Sequence, residues 1–213
     1  MRIAVFGATG QVGSRVVREA LARGHQVTAV VRDATRATCL SEAAQVVVGD
    51  ASRVDDVVRV GLEHDLLVGA TRPPPGSEGD LVECAQCLLN GVGLVGSRLL
   101  LVGGAASLAV PGNEGGTVLD DRSLVQDAWR PLAMACAEQL EVCRSEMIAD
   151  WTYLSPPAWI APGERTGAYR LGRDELVVDA QGESRISFED FAVALLDEAE
   201  QPRHSQTRFT VAY

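Results

Sequence analysis

A glycine-rich segment near the start of the chain has the spacing of a phosphate-binding turn. It reads Gly7-Ala8-Thr9-Gly10-Gln11-Val12-Gly13 and directly follows a short apolar run at 2–6. Glycines at this spacing permit a tight turn, a close approach of the backbone to a pyrophosphate, and close packing of a helix on a strand. The helix that follows would offer free N–H groups and the positive end of its dipole to the phosphates. The segment therefore predicts dinucleotide binding, with a ligand-free turn as the alternative.

Charged residues after the next apolar run bear on the identity of the dinucleotide. The run 26–31 is followed by Arg32-Asp33, with Arg36 three residues further on. A guanidinium accommodates the 2′-phosphate of NADP, whereas an acidic residue at this place binds the ribose hydroxyls of NAD. Arg32 therefore favours NADP(H) over NAD(H). Asp33 keeps NAD(H) open, and two solvated surface charges are the third interpretation.

The absence of lysine removes several kinds of chemistry. All 19 basic residues are arginine, so a Schiff base, a phosphate-loop lysine and a Tyr-x-x-x-Lys pair are excluded. The five cysteines and three histidines are too scattered for a four-ligand metal site, and none is predicted. Cys84 and Cys87 have a redox-type spacing, but they fall inside a predicted helix at 79–90, which favours a packing role.

Composition describes a globular protein. The 213 residues suggest one domain, 1–213, and 46% of them are hydrophobic. The net charge of −10 disfavours binding to nucleic acid and to anionic membranes. The apolar runs are too short to span a bilayer, and no signal peptide is evident at the first residues, so we expect a cytoplasmic protein, monomeric or homodimeric, with a small-molecule substrate.

Strand and helix patterns alternate over most of the chain. Strands are predicted at 2–6, 26–31, 45–48, 66–70, 98–102 and 151–154, and helices at 11–23, 55–62, 79–90 and 131–147. This alternation predicts an α/β fold, a doubly wound, mostly parallel, Rossmann-like sheet. Residues from about 160 to 213 are expected to form a small C-terminal cap with a hairpin near Arg173-Asp174, a closing helix opened by a capping box at Ser187 and Asp190, and a closing strand at 208–213.

Several of these strings carry a family resemblance. Phe6-Gly7-Ala8-Thr9-Gly10-Gln11-Val12-Gly13, Val31-Arg32-Asp33 and Val48-Gly49-Asp50 resemble the atypical short-chain dehydrogenase/reductases with an NAD(P)H-binding domain. These include NmrA-like proteins and flavin reductase/biliverdin-IXβ reductase. The resemblance covers nearly the whole chain, and strings toward its end are similar to one small bacterial branch: LVGGAASL at 101–108, WTYLSP at 151–156, GERTG at 163–167, SRISFED at 184–190 and RFTVAY at 208–213.

The resemblance implies which residues contact the cofactor. It places Thr9, Gly10, Gln11 and Val12 at the pyrophosphate, Arg32 at the 2′-phosphate, Asp50 and Ala51 beside the adenine, Ala70, Thr71 and Arg72 beside the ribose, and Gly103, Gly104, Pro156, Pro157 and Ala158 beside the nicotinamide. The chain also departs from conventional members of the superfamily, which use a serine and a Tyr-x-x-x-Lys pair. Gly104 stands at the serine position, and the predicted helix from Pro131 contains no tyrosine. Alcohol–ketone interconversion by that mechanism is therefore not expected.

Three functions are compatible with these features. The first is an NADPH-dependent reductase that passes hydride to a flavin, a quinone or another small conjugated or aromatic acceptor. The others are a non-redox isomerase, lyase or cyclase of a specialised biosynthetic pathway, and an NADP-binding redox sensor. Ser107, as a hydrogen-bond donor, and Arg130, as a clamp for a developing oxyanion, are the candidate catalytic residues. A turn serine and a solvated arginine are the alternatives. Trp129 and Trp159 are candidate walls for an aromatic substrate, or else packing residues.

Overall fold

The protein, in a computed structural model, alternates strands and helices as the sequence predicts. The structure describes residues 1–113 and 115–213, and the side chain of Cys39 also lies outside the described part. The elements are β1 (Arg2–Phe6), α1 (Gln11–Ala22), β2 (Gln26–Val31), β3 (Gln45–Val48), α2 (Val54–Gly61), β4 (Leu66–Gly69), α3 (Asp80–Val95), β5 (Arg98–Val102), α4 (Arg130–Ser145), β6 (Trp151–Ser155), β7 (Trp159–Ala161), β8 (Arg170–Gly172), β9 (Arg185–Ser187), α5 (Phe188–Glu200) and β10 (Thr207–Ala212).

The main sheet is doubly wound. Its order is β3-β2-β1-β4-β5-β6-β10-β8, and every neighbouring pair is parallel except β10 and β8. The chain leaves β1 in one direction to form β2 and β3, and in the other to form β4, β5 and β6, so the order reverses beside β1. In open α/β sheets ligands bind at the carboxyl ends of the strands at such a reversal. The predicted α/β, Rossmann-like fold is confirmed, and the expected site lies at the ends of β1 and β4.

Helices cover both faces of the sheet. Helices α1 and α5 pack on one face, where the buried side chains include Val16, Val17, Phe191 and Leu195. Helices α2, α3 and α4 pack on the other, with Leu88, Leu140 and Trp151 among the buried residues there. Each fully buried side chain of this size contributes about 1.5–3 kcal/mol. These two cores hold the strand ends rigidly enough to position a site.

A third apolar cluster lies beyond the carboxyl end of β5. Leu108, Val118, Val125 and Leu176 form its buried centre. The 3₁₀ turns Val118–Asp120 and Asp127–Trp129 shape the segment that leads from β5 to α4. We call residues 105–129, except the undescribed Glu114, the β5–α4 segment. It stands next to the predicted nicotinamide position and has a core of its own.

The C-terminal part of the chain does more than cover the sheet. β10 lies between β6 and β8 within the main sheet, α5 packs on α1, and β7 pairs with β9 in a separate two-stranded sheet. The predicted hairpin near Arg173 and Asp174 is wrong. β8 pairs with β10, and the chain after it runs beside Ala109, whose N–H donates to the Asp174 carbonyl. Local turn composition indicated a reversal there, but long-range backbone hydrogen bonds decide the path.

Two predicted helix ends also differ from the structure. α3 continues to Val95 and ends at Gly96, which has φ 75°. The sequence predicts an end at residue 90, but the helix continues through Gly91, which packs closely on Val57 of α2. The capping box of α5 is half formed. Ser187 Oγ accepts the Asp190 N–H, while the Asp190 carboxylate is bonded to residues 166, 167 and 213 instead.

Candidate cofactor site and active site

The glycine turn is built against the end of β4. Gly7 has φ 77°, and a Cβ there would lie 2.3 Å from the carbonyl oxygen of Ala70. A Cβ on Gly13 would lie 2.2 Å from the carbonyl oxygen of Gly7, which also accepts the Gly10 N–H at 3.0 Å. Only glycine lets these backbone segments approach so closely. The turn is thereby fixed at the place where the strand order reverses.

The N-terminus of α1 is free for an anion. Its N-cap residue is Gly10, which has no side chain to satisfy the first-turn N–H groups, and the first turn holds no acidic residue. By contrast α2, α3 and α5 each carry two acidic residues in the first turn. The unpaired N–H groups and the helix dipole of α1 suit a pyrophosphate. The cradle between α1 and β4 therefore fits a dinucleotide such as NADP(H).

Gln11 has a partner that the sequence did not reveal. Arg15 Nη1 donates to Gln11 Oε1 at 2.7 Å, and Arg15 Nε donates to Glu189 of α5 at 3.0 Å. Arg15 also lies over the ring of Phe188 at 5.4 Å. The first turn of α1, which contains Val12 and directly follows Thr9 and Gly10, is thus tied to α5. The contact between Arg15 and Glu189 depends on the packing of two helices, which no local sequence pattern encodes.

The side chains after β2 separate in role. Asp33 caps the 3₁₀ turn Ala34–Cys39, where its carboxylate accepts the backbone N–H of Thr35 at 2.9 Å and the Thr35 hydroxyl at 2.7 Å. The hydrogen bonds from Thr35 hold the pKa of the Asp33 carboxyl below its usual value. Arg32 is exposed, and within the described part of the chain it makes no hydrogen bond or ion pair. The carboxylate is engaged locally, while the guanidinium remains available.

The residues after β3 are held by hydrogen bonds to residues close to them in the chain. Asp50 Oδ1 accepts the Ser52 N–H at 3.0 Å and the Ser52 hydroxyl at 2.9 Å. The Asp50 N–H donates to the Asp56 carboxylate at 3.0 Å. Ala51 is buried and its side chain belongs to the core under α2. This turn therefore presents backbone atoms and one edge of the Asp50 side chain at the end of β3, where the adenine is predicted to lie.

The ends of β5 and β6 meet in a packed cluster. A Cβ on Gly103 would overlap the ring of Tyr153, and one on Gly104 would lie 2.7 Å from Cys136 Sγ. The Tyr153 hydroxyl accepts the Gly104 N–H at 3.1 Å and lies 2.9 Å from the Cys136 carbonyl oxygen, to which it donates. Tyr153 is fully buried, and burial raises its pKa. Sequence reasoning assigned no role to Tyr153 and Cys136, although they fix the floor of the predicted nicotinamide position.

The two candidate catalytic residues belong to the β5–α4 segment and its border. Ser107 Oγ accepts a hydrogen bond from Arg208 Nη1 at 2.8 Å, and Arg208 is buried and paired with Asp174. Arg130 begins α4, one residue before the predicted Pro131, and its Nη1 donates to the Leu119 carbonyl at 3.0 Å. The Leu119 N–H in turn donates to the Ala106 carbonyl at 2.9 Å, so the segment links both candidates.

The remaining predicted positions line the carboxyl ends of β4 and β6. Ala70 is nearly buried against the glycine turn, and Thr71 follows it at the surface of the crevice. The Arg72 guanidinium carbon lies 5.2 Å from the ring centroid of Trp129. Pro156 is half-buried and Pro157 is buried directly after β6. The predicted cofactor residues thus follow the carboxyl ends of β1 to β6, which lie at one edge of the sheet.

Within residues 1–113 and 115–213 no group of three or more metal-binding side chains comes together. In the same ranges no helix is both long and apolar enough to cross a membrane. The described sulfur atoms of Cys84, Cys87, Cys136 and Cys143 are free thiols.

The fold and the crevice define a Rossmann-like, dinucleotide-binding protein, and comparison with known proteins gives the family. Residues 7–199 match the family model described as NAD(P)H-binding. The chain belongs to that family. The predicted resemblance and the assignment to NAD(P)H-dependent oxidoreductases are confirmed at this level.

Relatives of known sequence or structure match over nearly their whole lengths. The YwnB protein of Bacillus subtilis is 36% identical over 218 residues, 99% of this chain and 98% of that protein. A candidate epimerase from Bacteroides thetaiotaomicron is 38% identical with a TM-score of 0.90, covering 100% of this chain and 96% of that one. A candidate NADH-flavin reductase from Streptococcus pneumoniae is 30% identical with a TM-score of 0.88, covering 100% and 99%.

Proposed function

We propose that the protein is an NADPH-dependent reductase that passes hydride to a small conjugated or aromatic acceptor, such as a flavin or a quinone. The observation that carries the proposal is the uncapped, acid-free N-terminus of α1, seated against β4 at the reversal of strand order. This cradle suits a dinucleotide pyrophosphate and would leave the nicotinamide over Gly103 and Gly104. When bound, the cofactor supplies the hydride, so the chain must mainly bind, orient and exclude water.

The preference for NADP(H) rests on the turn after β2. Asp33 is the residue that would otherwise bind the ribose hydroxyls of NAD. Its carboxylate instead accepts hydrogen bonds from Thr35. Arg32 keeps its full set of donors for a 2′-phosphate, which a guanidinium can bind with two parallel hydrogen bonds. The Streptococcus relative is named as a candidate NADH-flavin reductase. Its name supports a flavin as the acceptor, and the choice between NADPH and NADH is tested below.

The catalytic requirements on the protein are modest. The Ser107 hydroxyl accepts from Arg208 through a lone pair, so its proton remains free to be donated to an acceptor oxygen or nitrogen. Arg130 donates one N–H group to the Leu119 carbonyl, and its other N–H groups can stabilise a negative charge that develops on the acceptor. Tyr153 is fully buried and bonded to backbone, so we assign it no proton transfer. Besides the hydride, reduction of the acceptor takes up one proton, and that proton comes from water.

Binding and turnover test the proposal together. NADPH and NADH are titrated against the purified protein by nicotinamide fluorescence, with Arg32→Gln and Arg2→Gln compared. Arg2 begins β1 at the opposite edge of the sheet and pairs with Asp65, and both side chains are about half exposed, so it controls for loss of one surface charge. We expect Arg32→Gln to weaken NADPH binding about 10- to 100-fold, because a charge-assisted hydrogen bond contributes about 1.5–3 kcal/mol. NADH binding should be unchanged.

Turnover then separates the reductase from its alternatives. NADPH oxidation that depends on an added flavin or quinone supports the reductase. Tight NADPH binding without any oxidation would favour a redox sensor, and failure to bind either nucleotide would refute both. A non-redox enzyme is the second candidate, because one relative of high similarity is named as a candidate epimerase. It predicts substrate conversion with no net change in NADPH.

Oligomeric state and cellular location stay predictions. A monomer or homodimer is expected, and light scattering measures the mass directly. Fractionation of the producing cells tests the expected cytoplasmic location.

A further inference from the structure

A buried arginine lies behind the candidate serine of the active site. Arg208 belongs to β10, and only 3% of its side chain is exposed. Its Nη1 donates to Ser107 Oγ at 2.8 Å. In the parallel pairing of β10 with β6, Arg208 stands opposite Tyr153, so both side chains point to the same face of the sheet. The sheet thus holds a guanidinium under the β5–α4 segment, directly at its serine.

The counter-charge of this arginine lies on the solvent side. Asp174 Oδ1 accepts from Arg208 Nε at 3.0 Å and also from Nη2. The Asp174 side chain is 68% exposed and has a second cation, Arg144, at 3.7 Å. Water screens an exposed carboxylate, whereas a charge in the interior acts at a lower dielectric constant. The Arg208–Asp174 pair therefore leaves a positive potential at Ser107.

A structural tie between segments does not account for this arginine. The β5–α4 segment is already joined to the chain after β8 by backbone hydrogen bonds. The Ala109 N–H donates to the Asp174 carbonyl at 2.8 Å, and the Leu176 N–H donates to the Ala109 carbonyl at 2.9 Å. A buried ion pair is in general weak evidence for stability, because buried ions lose their hydration. The charge of Arg208 is better explained by its effect on the hydroxyl that it contacts.

A guanidinium that donates to a hydroxyl oxygen has two effects on that hydroxyl. It occupies a lone pair of Ser107 Oγ, so the proton is directed away from Arg208. It also polarises the O–H bond, because linked hydrogen bonds strengthen one another. A hydroxyl prepared in this way donates best to an atom on which negative charge develops. Hydride transfer creates such a charge on the acceptor.

We propose that Arg208 is a positioning residue of the active site, whose buried guanidinium orients Ser107 and strengthens it as a hydrogen-bond donor to the acceptor during reduction. The inference rests on the reductase function proposed above and adds no step to that reaction. The hydride still passes from the cofactor to the acceptor, the acceptor takes up one proton from water, and Ser107 keeps its own proton. Arg208 acts only through Ser107 and would not contact the acceptor.

A thiol in place of the hydroxyl reports the potential without any turnover. In Ser107→Cys we expect the introduced thiol to have a pKa at least about one unit below the ordinary value of about 8.5, because a neighbouring guanidinium stabilises a thiolate. The pKa is read from the pH dependence of iodoacetamide alkylation, followed by mass spectrometry of the peptide that contains position 107. Adding Arg208→Met should return the pKa to about 8.5 or above, and adding Asp174→Asn should lower it further.

Two variants that break the same ion pair separate a polarising charge from a structural tie. Arg208→Met removes the charge but fills a similar volume. It should lower kcat for NADPH oxidation by riboflavin or menadione about 10- to 100-fold, the effect of one charge-assisted hydrogen bond. KM for these uncharged acceptors should change less than about twofold, because the charge develops only on hydride transfer. Asp174→Asn leaves the guanidinium uncompensated and should raise kcat. Arg208→Lys keeps a charge and should retain much of the wild-type kcat, and Arg2→Gln controls for the loss of a distant positive charge.

A double variant tests whether the arginine acts through the serine. Ser107→Ala with Arg208→Met should be no slower than Ser107→Ala alone, because residues that act as a unit lose their effect together. Losses that multiply would overturn the route through Ser107. So would equal losses of kcat in Arg208→Met and Asp174→Asn, which would indicate a structural tie.

The thiol measurement distinguishes failure of this inference from failure of the reductase proposal. An introduced thiol with an ordinary pKa would refute the role of Arg208, even in a protein that oxidises NADPH with riboflavin. A lowered, Arg208-dependent pKa in a protein that never oxidises NADPH would support the potential at position 107 and refute the reductase. Ser107→Cys alone decides the first point if Arg208→Met fails to fold.

Discussion

Gly13→Ala tests whether backbone contact in the glycine turn is as tight as the structure describes. A Cβ at this position would lie 2.2 Å from the Gly7 carbonyl oxygen, 2.8 Å from its carbon and 3.1 Å from the Ala8 Cα. All three are backbone atoms, so no side-chain rotation relieves the clash. Reaching ordinary contact requires a movement of about 1 Å, and overpacking of this kind costs about 1–3 kcal/mol. The Gly7 oxygen also holds the Gly10 N–H, so the movement disturbs the whole turn.

Helix propensity works in the opposite direction and must be subtracted. Replacing a helix-interior glycine by alanine stabilises by about 1 kcal/mol when space permits. Gly93 in α3 provides the matched control, because a Cβ there would have its nearest neighbours at 3.8–4.0 Å. We therefore expect Gly93→Ala to raise the free energy of unfolding by up to about 1 kcal/mol. Gly13→Ala should lower it by up to about 2 kcal/mol after the propensity gain is subtracted, and so leave it at least about 1 kcal/mol below Gly93→Ala.

Urea unfolding of the three proteins measures both signs in one assay. NADPH titration of the same samples should show binding at least about tenfold weaker in Gly13→Ala, since a 1 Å displacement misaligns the pyrophosphate donors. The reasoning is refuted if Gly13→Ala is as stable as Gly93→Ala, or if it binds NADPH as the wild type does. A loss of stability in both variants would instead mean that replacing any helix glycine destabilises this protein, whatever the space around it.

Three further outcomes follow from single side chains. The hydrogen bond from Arg165 lowers the pKa of Glu19 to about 2, so the stability it contributes is complete above the usual glutamate value and is lost as the pH falls toward 2. Glu19→Gln should cost about 2 kcal/mol at neutral pH and flatten that acid dependence in urea titrations. Tyr153→Phe leaves the Gly104 N–H without its acceptor, whereas the Cys136 carbonyl keeps its hydrogen bond within α4. We expect a cost of about 1–3 kcal/mol in the same assay, and no loss of stability would refute the role of Tyr153. The Cys136 thiol, whose pKa burial raises to about 11, should resist iodoacetamide at neutral pH, as mapped by mass spectrometry, whereas rapid alkylation would contradict its buried placement.

Local patterns were sufficient to predict most of the sheet. Parallel strands buried on both faces are continuously apolar, so β1, β2, β4 and β5 stand out from the amphipathic helices between them. The glycine turn was equally visible, because the contacts it must allow restrict both residue type and spacing. Its position at the reversal of strand order then follows from the topology. The family resemblance added the expected strand-end residues, whose contact with a cofactor stays a prediction.

Contacts between distant residues could not be predicted in the same way. The Tyr153 hydroxyl meets Gly104 only because β6 lies beside β5 with Leu101 opposite Tyr153. Asp190 looked like a capping residue, yet its buried carboxylate bonds the Thr166 hydroxyl and the Tyr213 hydroxyl. In both cases the register of packed elements selects the partner, and register is a property of the whole fold. The Arg72–Trp129 pair belongs to the same class of contact.

The packing at the end of β5 bears on the kind of reaction this family member supports. Conventional relatives place a serine and a tyrosine–lysine pair above the nicotinamide. Here Cys136 packs closely against Gly104, and the phenol of Tyr153 is buried with its hydroxyl bonded to Gly104, Cys136 and Gln139. No lysine exists to lower the pKa of a phenol, and burial moves that of Tyr153 upward. A ketone needs a strong proton donor at the moment of hydride arrival, whereas a flavin or quinone can spread the negative charge over its own rings and take its proton from water. Under the proposed function, packing thus stands where conventional relatives have the acid–base pair, and the acceptors we expect are those that stabilise their own charge.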